Sequence, residues 1–180
     1  MFNRLFRGGK KDKSPKKEGV KVLKYVNKSP HVNPYYATFG DSGFDLRAWI
    51  QEGEDGVELI DGKPTIKLSA RETRLIHTGL YFQIPQNCEL QVRTRSGLAL
   101  KQQLVVTNSP GTVDEFYTNE VGIIVTNLSR KSVFIADGDR IAQAVLCPVY
   151  NSPLVELTKV DEIEENEYRN KGGFGHTGVK

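Results

Sequence analysis

The sequence predicts an all-β, jelly-roll-like barrel with one short helix. Short runs rich in Val, Ile, Leu and Phe recur along the 180 residues, separated by Gly, Pro, Asn and Asp clusters. Only one window has a helical start, and no segment repeats another. Many short strands with turn signals between them are the pattern of a closed or double-sheet β fold. At this length the chain supports one domain with a sizeable core.

Taken in order, residues 1–19 hold Arg4, Arg7, Lys10, Lys11, Lys13, Lys16 and Lys17 against Asp12 and Glu18, a net charge of +5. The other 161 residues carry 18 basic and 20 acidic groups, or −2, so the basic balance belongs to the arm. The arm reads as disordered, with a polyanion or a membrane surface as its candidate contact. The core gives no reason to expect nucleic acid. The arm has no apolar run suited to a signal peptide or a membrane span, which points to the cytoplasm, or the host cytoplasm for a viral chain.

Residues 20–26 alternate as a strand, and 29–39, broken by Pro30 and Pro34, read as loop. Strands are expected at 44–50 and 65–68. Between them the acidic, turn-rich residues 52–64 hold a small hairpin or an insertion. Further β-rich runs cover 74–84, 89–94, 121–126, 132–136 and 141–149. Ser96 is the expected N-cap of a helix over 96–103, before Leu98, Ala99 and Leu100. The barrel domain is expected over 20–168. Cys88 and Cys147 sit in apolar strand contexts as free thiols. His31, His77 and His176 are scattered without metal-ligand spacing, so no protein-ligated zinc is expected.

The tail over 169–180 is the most informative stretch. Arg169-Asn170-Lys171-Gly172-Gly173-Phe174-Gly175-His176-Thr177-Gly178 combines glycines with a stacking ring, an arginine and a hydroxyl. It buries too little apolar surface to fold alone. As a mobile strap it can approach a ligand closely, stack Phe174 on a ring and offer donors to phosphate.

Four upstream segments give the tail its context. Ser42-Gly43-Phe44-Asp45-Leu46-Arg47-Ala48 places a carboxylate at a strand start. Arg95-Ser96-Gly97-Leu98-Ala99 puts a cation and a hydroxyl where a helix begins. Asn108-Ser109-Pro110-Gly111-Thr112-Val113-Asp114-Glu115-Phe116-Tyr117 carries an amide, an acid and a phenol. Gly138-Asp139-Arg140-Ile141-Ala142-Gln143 leads from a turn into a strand. Each alone reads blandly: Asp45 as a turn-capping carboxylate, Arg95-Ser96 as a helix cap, Asp114 as a surface turn, Gln143 as a strand residue. In order and at compatible spacing, the five resemble the motifs of the homotrimeric dUTPase family, from about Asp41 to Gly178.

The resemblance implies a dUTPase-like β-clip barrel in a homotrimer, and hydrolysis of dUTP to dUMP and pyrophosphate. That reaction keeps uracil out of DNA and supplies dUMP for dTMP synthesis. By the same resemblance, Asp114 is the general base for a water attacking the α-phosphate. Tyr117 packs on the deoxyribose. Asn108, with Gly111, Val113 and the backbone of the 108–119 hairpin, meets uracil. Arg95, Ser96, Gly97 and Gln143 hold the phosphates, with Arg169, Gly175, His176 and Thr177 closing from the tail and Phe174 stacking on uracil. Asp45 holds waters of a Mg²⁺ carried by the phosphates. Three chains build each site.

Three departures stand out. Thr118-Asn119 replaces a usual Arg-Gly, and Asn119, which tolerates positive φ, is expected to keep the hairpin shape. Asn87-Cys88 replaces a usual Gly-Tyr, and His176 replaces a serine. Two other readings stay open. A dCTP deaminase resembles this fold but carries a catalytic glutamate where this chain has Ile124. A nucleotide-switched regulatory protein would use residues 52–64 and the arm as surfaces.

Overall fold

The computed structural model describes residues 19–164. Residues 1–18 of the arm over 1–19, and the tail over 169–180 with Arg169, Phe174, Gly175, His176 and Thr177, lie outside them. Residues 19–149 form one compact unit. Residues 150–164 belong to a second, which among the described residues has neither strand nor helix and one turn closed by Leu154 N–H donating to the Asn151 carbonyl at 2.8 Å.

The first unit is all-β with one short helix. Its elements are β1 (Lys24–Asn27), β2 (Phe44–Arg47), β3 (Val57–Ile60), β4 (Lys63–Leu68), β5 (Thr73–Ile76), β6 (Leu80–Gln83), β7 (Cys88–Arg93), α1 (Ser96–Gln102), β8 (Leu104–Val106), β9 (Gly111–Val113), β10 (Ile123–Asn127), β11 (Val133–Ala136) and β12 (Arg140–Pro148). They form four antiparallel groups: β1–β6, β5–β10–β8, β11–β4–β3 and β2–β12–β7–β9. Apart from the β3–β4 hairpin, every paired neighbour is non-consecutive in the chain, as a jelly-roll-like wrap requires.

The last group positions the site. Along β7, Cys88, Leu90 and Val92 point into the core while Glu89, Gln91 and Arg93 point out, the period-2 consequence of a pleated strand. β2 does the same with Phe44 and Leu46 inside and Asp45 and Arg47 on the other face. β12 breaks the rhythm. Arg140 pairs with Arg47 and Ala142 with Leu46, so Ile141 is an extra residue, and both Ile141 and Ala142 are buried. The bulge turns Arg140 onto the same face as Gln143, three residues on; a regular strand would oppose them.

The core is continuous. Leu46, Leu68, Leu90, Ile76, Ile123 and Ile135 are fully buried, each contributing about 1.5–3 kcal/mol of transfer free energy. Asn127 is buried with them, its Nδ2 donating to the carbonyls of Leu68, Ser69 and Lys131 and its Oδ1 accepting from Ser129. A buried amide so satisfied fixes the β10–β11 turn.

Several expectations shift. The acidic stretch holds a hairpin: Asp61 (φ 51°) and Gly62 (φ 74°) form a two-residue turn between β3 and β4, the left-handed pair that matches strand twist. The expected strand over 74–84 is two, β5 and β6, interrupted at 77–79. Of the expected strand over 20–26, only 24–26 is strand, within the exposed β1; 20–23 are not. Ser96 is not the N-cap. That position belongs to Arg95, in extended backbone and without a capping side-chain bond, because a guanidinium only donates and cannot accept from the first-turn N–H groups. Positive φ falls on Asn87 (58°) and not on Asn119, so the hairpin keeps its turn without a left-handed residue there.

Candidate active site

The outward face of β2–β12–β7 carries a cross-strand row of Asp45, Gln143 and Arg93, set by register. Asp45 is bracketed by two guanidiniums. Arg95 Nε donates to its Oδ1 at 2.7 Å and Arg140 Nη1 to its Oδ2 at 3.0 Å. Arg95 Nη1 also donates to the Arg140 carbonyl at 2.9 Å. Two cations share one carboxylate, so the cluster is a net anion receptor built from strand positions.

Gln143 is oriented by donating from Nε2 to the Thr94 carbonyl at 3.0 Å. Thr94 also ties two loops together: its N–H donates to Ser109 Oγ at 3.1 Å, and its Oγ1 accepts from Val106 N–H at 2.9 Å. Ser96 and Gly97 open α1 on the exposed side. A cavity of about 330 Å³ adjoins the row, lined in part by Asp41, Asp45, Arg47, Arg93 and Gln143. Arg47 donates to the Gly138 carbonyl at 2.7 Å, holding the turn that delivers Arg140.

Asn108 lies in the turn between β8 and β9, which contains a cis Ser109–Pro110 bond. Its side chain covers Gly111, where a Cβ would sit 3.0 Å from Asn108 Nδ2. Any larger residue there would push the amide back by a few tenths of an ångström. Val113 ends β9 in the core, and Asp114 follows it, exposed; no described residue donates to its carboxylate. The turn beyond is pinned at both ends. Asn87 N–H donates to Glu115 Oε2 at 3.0 Å, and Tyr117 donates from its hydroxyl to the Glu120 carbonyl at 2.9 Å.

These residues form two groups. β9 runs antiparallel to β7 with Val92 opposite Gly111 and Leu90 opposite Val113. Arg95 follows Arg93 at one end, whereas Asp114 follows Val113 at the other. With Asp114 level with Glu89, six residues before Arg95, at about 3.3 Å per residue the two lie on the order of 20 Å apart along the strand direction. The phosphate-type donors Arg95, Ser96, Gly97 and Gln143, with Asp45, share one end; Asp114 and Tyr117 share the other.

Sequence reasoning did not single out Arg140, Arg93 or Glu120. Glu120 Oε1 accepts from Thr78 and Gly79 N–H at 2.9 and 2.7 Å, and Oε2 lies 3.1 Å from His77 Nδ1. Burial would raise its carboxyl pKa, but the Gly79 and Thr78 amides and His77 outweigh burial and hold it below the ordinary glutamate value. Ile124, where a deaminase would carry glutamate, is a half-exposed apolar residue on β10.

A family profile described as dUTPase matches residues 60–178. A protein of Finegoldia magna named deoxyuridine 5'-triphosphate nucleotidohydrolase is 40% identical over 156 residues, 87% of this chain and 98% of that protein. The chain belongs to the dUTPase family. A protein of the same name from Crocosphaera subtropica is 37% identical over 160 residues, 89% of this chain and 99% of its own length. Solved dUTPases share the fold. That of Staphylococcus bacteriophage 80alpha, with dUpNHpp, superposes with a TM-score of 0.71 at 23% identity, covering 89% of this chain and all of the phage chain. A mutant dUTPase from phage phi11 of S. aureus, described with a structural Mg(II) ion, gives 0.64 at 22% identity over 81% of this chain and 100% of its own. The profile match opens at Ile60, the end of β3, so within this dUTPase-family chain Asp45 precedes it.

Among the described residues no three His, Cys, Asp or Glu side chains gather to hold a metal. Asp45 stands as one half-buried carboxylate beside guanidiniums. That donor set suits a hard cation which keeps its waters and arrives bound to phosphates, as Mg²⁺ does. It does not suit a tightly held resident metal.

Proposed function

We propose that this chain hydrolyses dUTP to dUMP and pyrophosphate in a homotrimer whose sites are shared between chains. The observation that carries the reading is the Arg95–Asp45–Arg140 cluster with Gln143, in a dUTPase-family chain, at the ladder end opposite Asp114. A phosphate grip and a base so separated become one site when a neighbouring chain brings its Asp114 end to this chain's Arg95 end. Oligomers with closed symmetry do this with a single repeated interface.

In that site Arg95 and Gln143 hold the triphosphate, with Ser96 and Gly97 supplying a hydroxyl and an unobstructed backbone beside them. Arg140 adds a second guanidinium as Asp45 yields Arg95 to the phosphate. Asp114, exposed and with no donor from the described residues, takes a proton from a water aligned with the α-phosphorus. The water oxygen bonds to that phosphorus as the bridge to the β-phosphate breaks, and pyrophosphate leaves. Asn108 over Gly111, with Val113 and the following backbone, reads uracil. Cytosine would leave those buried groups mismatched, a discrimination of about 10⁴-fold or more. Tyr117 lies against the deoxyribose and excludes a 2′-hydroxyl. Mg²⁺, when bound, neutralises charge on the phosphates and holds them in line; Asp45 would hold its waters. From the tail, Phe174 stacks on uracil, while Arg169, Gly175, His176 and Thr177 close on the phosphates.

Pyrophosphate release from dUTP, compared with UTP and dCTP, tests the reading. Release from dUTP alone supports it; ammonia release from dCTP instead would assign the chain to deamination.

A further inference from the structure

We infer that Glu120 is a positioning residue that sets the sugar-reading edge of Tyr117 by clamping its turn to the break between β5 and β6. The inference rests on the dUTP-hydrolysing reading and on Tyr117 facing the deoxyribose.

The geometry is a clamp with two jaws. On one side the Tyr117 hydroxyl donates to the Glu120 main-chain carbonyl at 2.9 Å. On the other, the Glu120 carboxylate accepts from Thr78 and Gly79 N–H at 2.9 and 2.7 Å and meets His77 Nδ1 at 3.1 Å. The seam continues into the core, where Thr78 Oγ1 donates to the Val121 carbonyl at 2.6 Å and Val121 N–H to the Leu80 carbonyl at 2.9 Å. Between Asp114 and Glu120, by contrast, Phe116, Tyr117, Thr118 and Asn119 are exposed, and one backbone bond, Tyr117 N–H to the Asp114 carbonyl at 3.1 Å, spans the turn. An exposed turn with so little support of its own takes its shape from its anchors. Glu115, bonded to Asn87, anchors the start and Glu120 the end.

The anchoring sets specificity because exclusion of a hydroxyl is a matter of about one atom's width. A ring displaced by that much admits ribose. Without the Glu120 carboxylate the Thr78 and Gly79 amides lose their acceptor, and the 117–120 backbone is tied to residues 77–80 only through its neighbour Val121. Glutamine in its place still offers an amide oxygen to those two N–H groups, but no charge to His77.

The test uses the full chain and four variants: Glu120→Ala, Glu120→Gln, Tyr117→Phe and Tyr117→Ala. Each is assayed for kcat/KM on dUTP and on UTP, and for Tm. Tyr117→Ala is expected to collapse the dUTP/UTP ratio. Glu120→Ala is expected to lower it by about 10- to 100-fold, the scale of an ångström-sized misplacement. Glu120→Gln is expected to restore most of it. Tyr117→Phe, which breaks only the phenol–carbonyl bond, is expected to lower the ratio, with less than additive effect when combined with Glu120→Ala. A folded Glu120→Ala with the parental ratio, beside a Tyr117→Ala that loses it, overturns the inference and leaves the reading of Tyr117 intact. Should Glu120→Ala fail to fold, Tyr117→Phe decides, and an unchanged ratio overturns the inference. An unchanged ratio in Tyr117→Ala overturns the sugar assignment itself, and Glu120's role with it.

Discussion

Arg95 and Asp114 stand at opposite ends of the ladder between β7 and β9, because Val113 faces Leu90 while Arg95 follows Arg93. In the proposed reading, a second chain brings the phosphate grip and the base together. Subunits carrying Arg95→Ala and subunits carrying Asp114→Asn are each expected to be inactive. Mixed after denaturation and refolding, they should regain a fraction of parental activity through sites that pair an intact Arg95 end with an intact Asp114 end. No recovery, with hybrids demonstrated by mass spectrometry, would place the site within one chain.

Asp45 holds Arg95 and Arg140 together. Asp45→Asn removes the charge that would attract a metal's waters and leaves an amide oxygen to accept. The variant is expected to keep dUTP binding while requiring more Mg²⁺ for half-maximal turnover. An unaltered Mg²⁺ titration would remove Asp45 from any metal role.

Glu120 makes the fold acid-sensitive in a defined direction. Its folded-state pKa lies below the unfolded one, so it adds stability above the unfolded value of about 4.3; that stability is lost as pH falls through the folded value. Glu120→Gln cannot titrate there. Near pH 5 the parent should melt higher than Glu120→Gln; below about pH 4 the curves should converge. Parallel curves down to pH 3 would show that Glu120 is not depressed.

Leu90 is fully buried at the centre of β7, between the two site groups. Leu90→Ala is expected to cost about 2–5 kcal/mol through lost contacts and a cavity. Chemical denaturation measures it, and a cost under 1 kcal/mol would mean the β2–β12–β7–β9 sheet is less closely packed than described.

Much of this was legible because the signals are local. Alternation along β7 exposes Glu89, Gln91 and Arg93, and Asp61-Gly62 announces the β3–β4 hairpin. What was not legible depends on partners far along the chain. Residues 74–84 read as one apolar run; the break at 77–79 goes with a carboxylate some forty residues on, which accepts from Thr78 and Gly79. Leu104–Val106 is too short, and too close to α1, to register as β8. Ser96 looked like a cap because serine usually is one, yet the cap position belongs to Arg95. Arg140 was hidden by the bulge: strict alternation from Gln143 puts it on the other face, and only the extra residue Ile141 brings it round to Asp45.

The most direct test of the account is pyrophosphate release by the full-length protein in Mg²⁺, with dUTP, dCTP, dTTP and UTP offered separately and Asp114→Asn as the control. The account predicts turnover of dUTP far above the other three, falling by about 10²-fold or more in Asp114→Asn with dUTP binding retained. No pyrophosphate from dUTP, or an Asp114→Asn variant as fast as the parent, would contradict it.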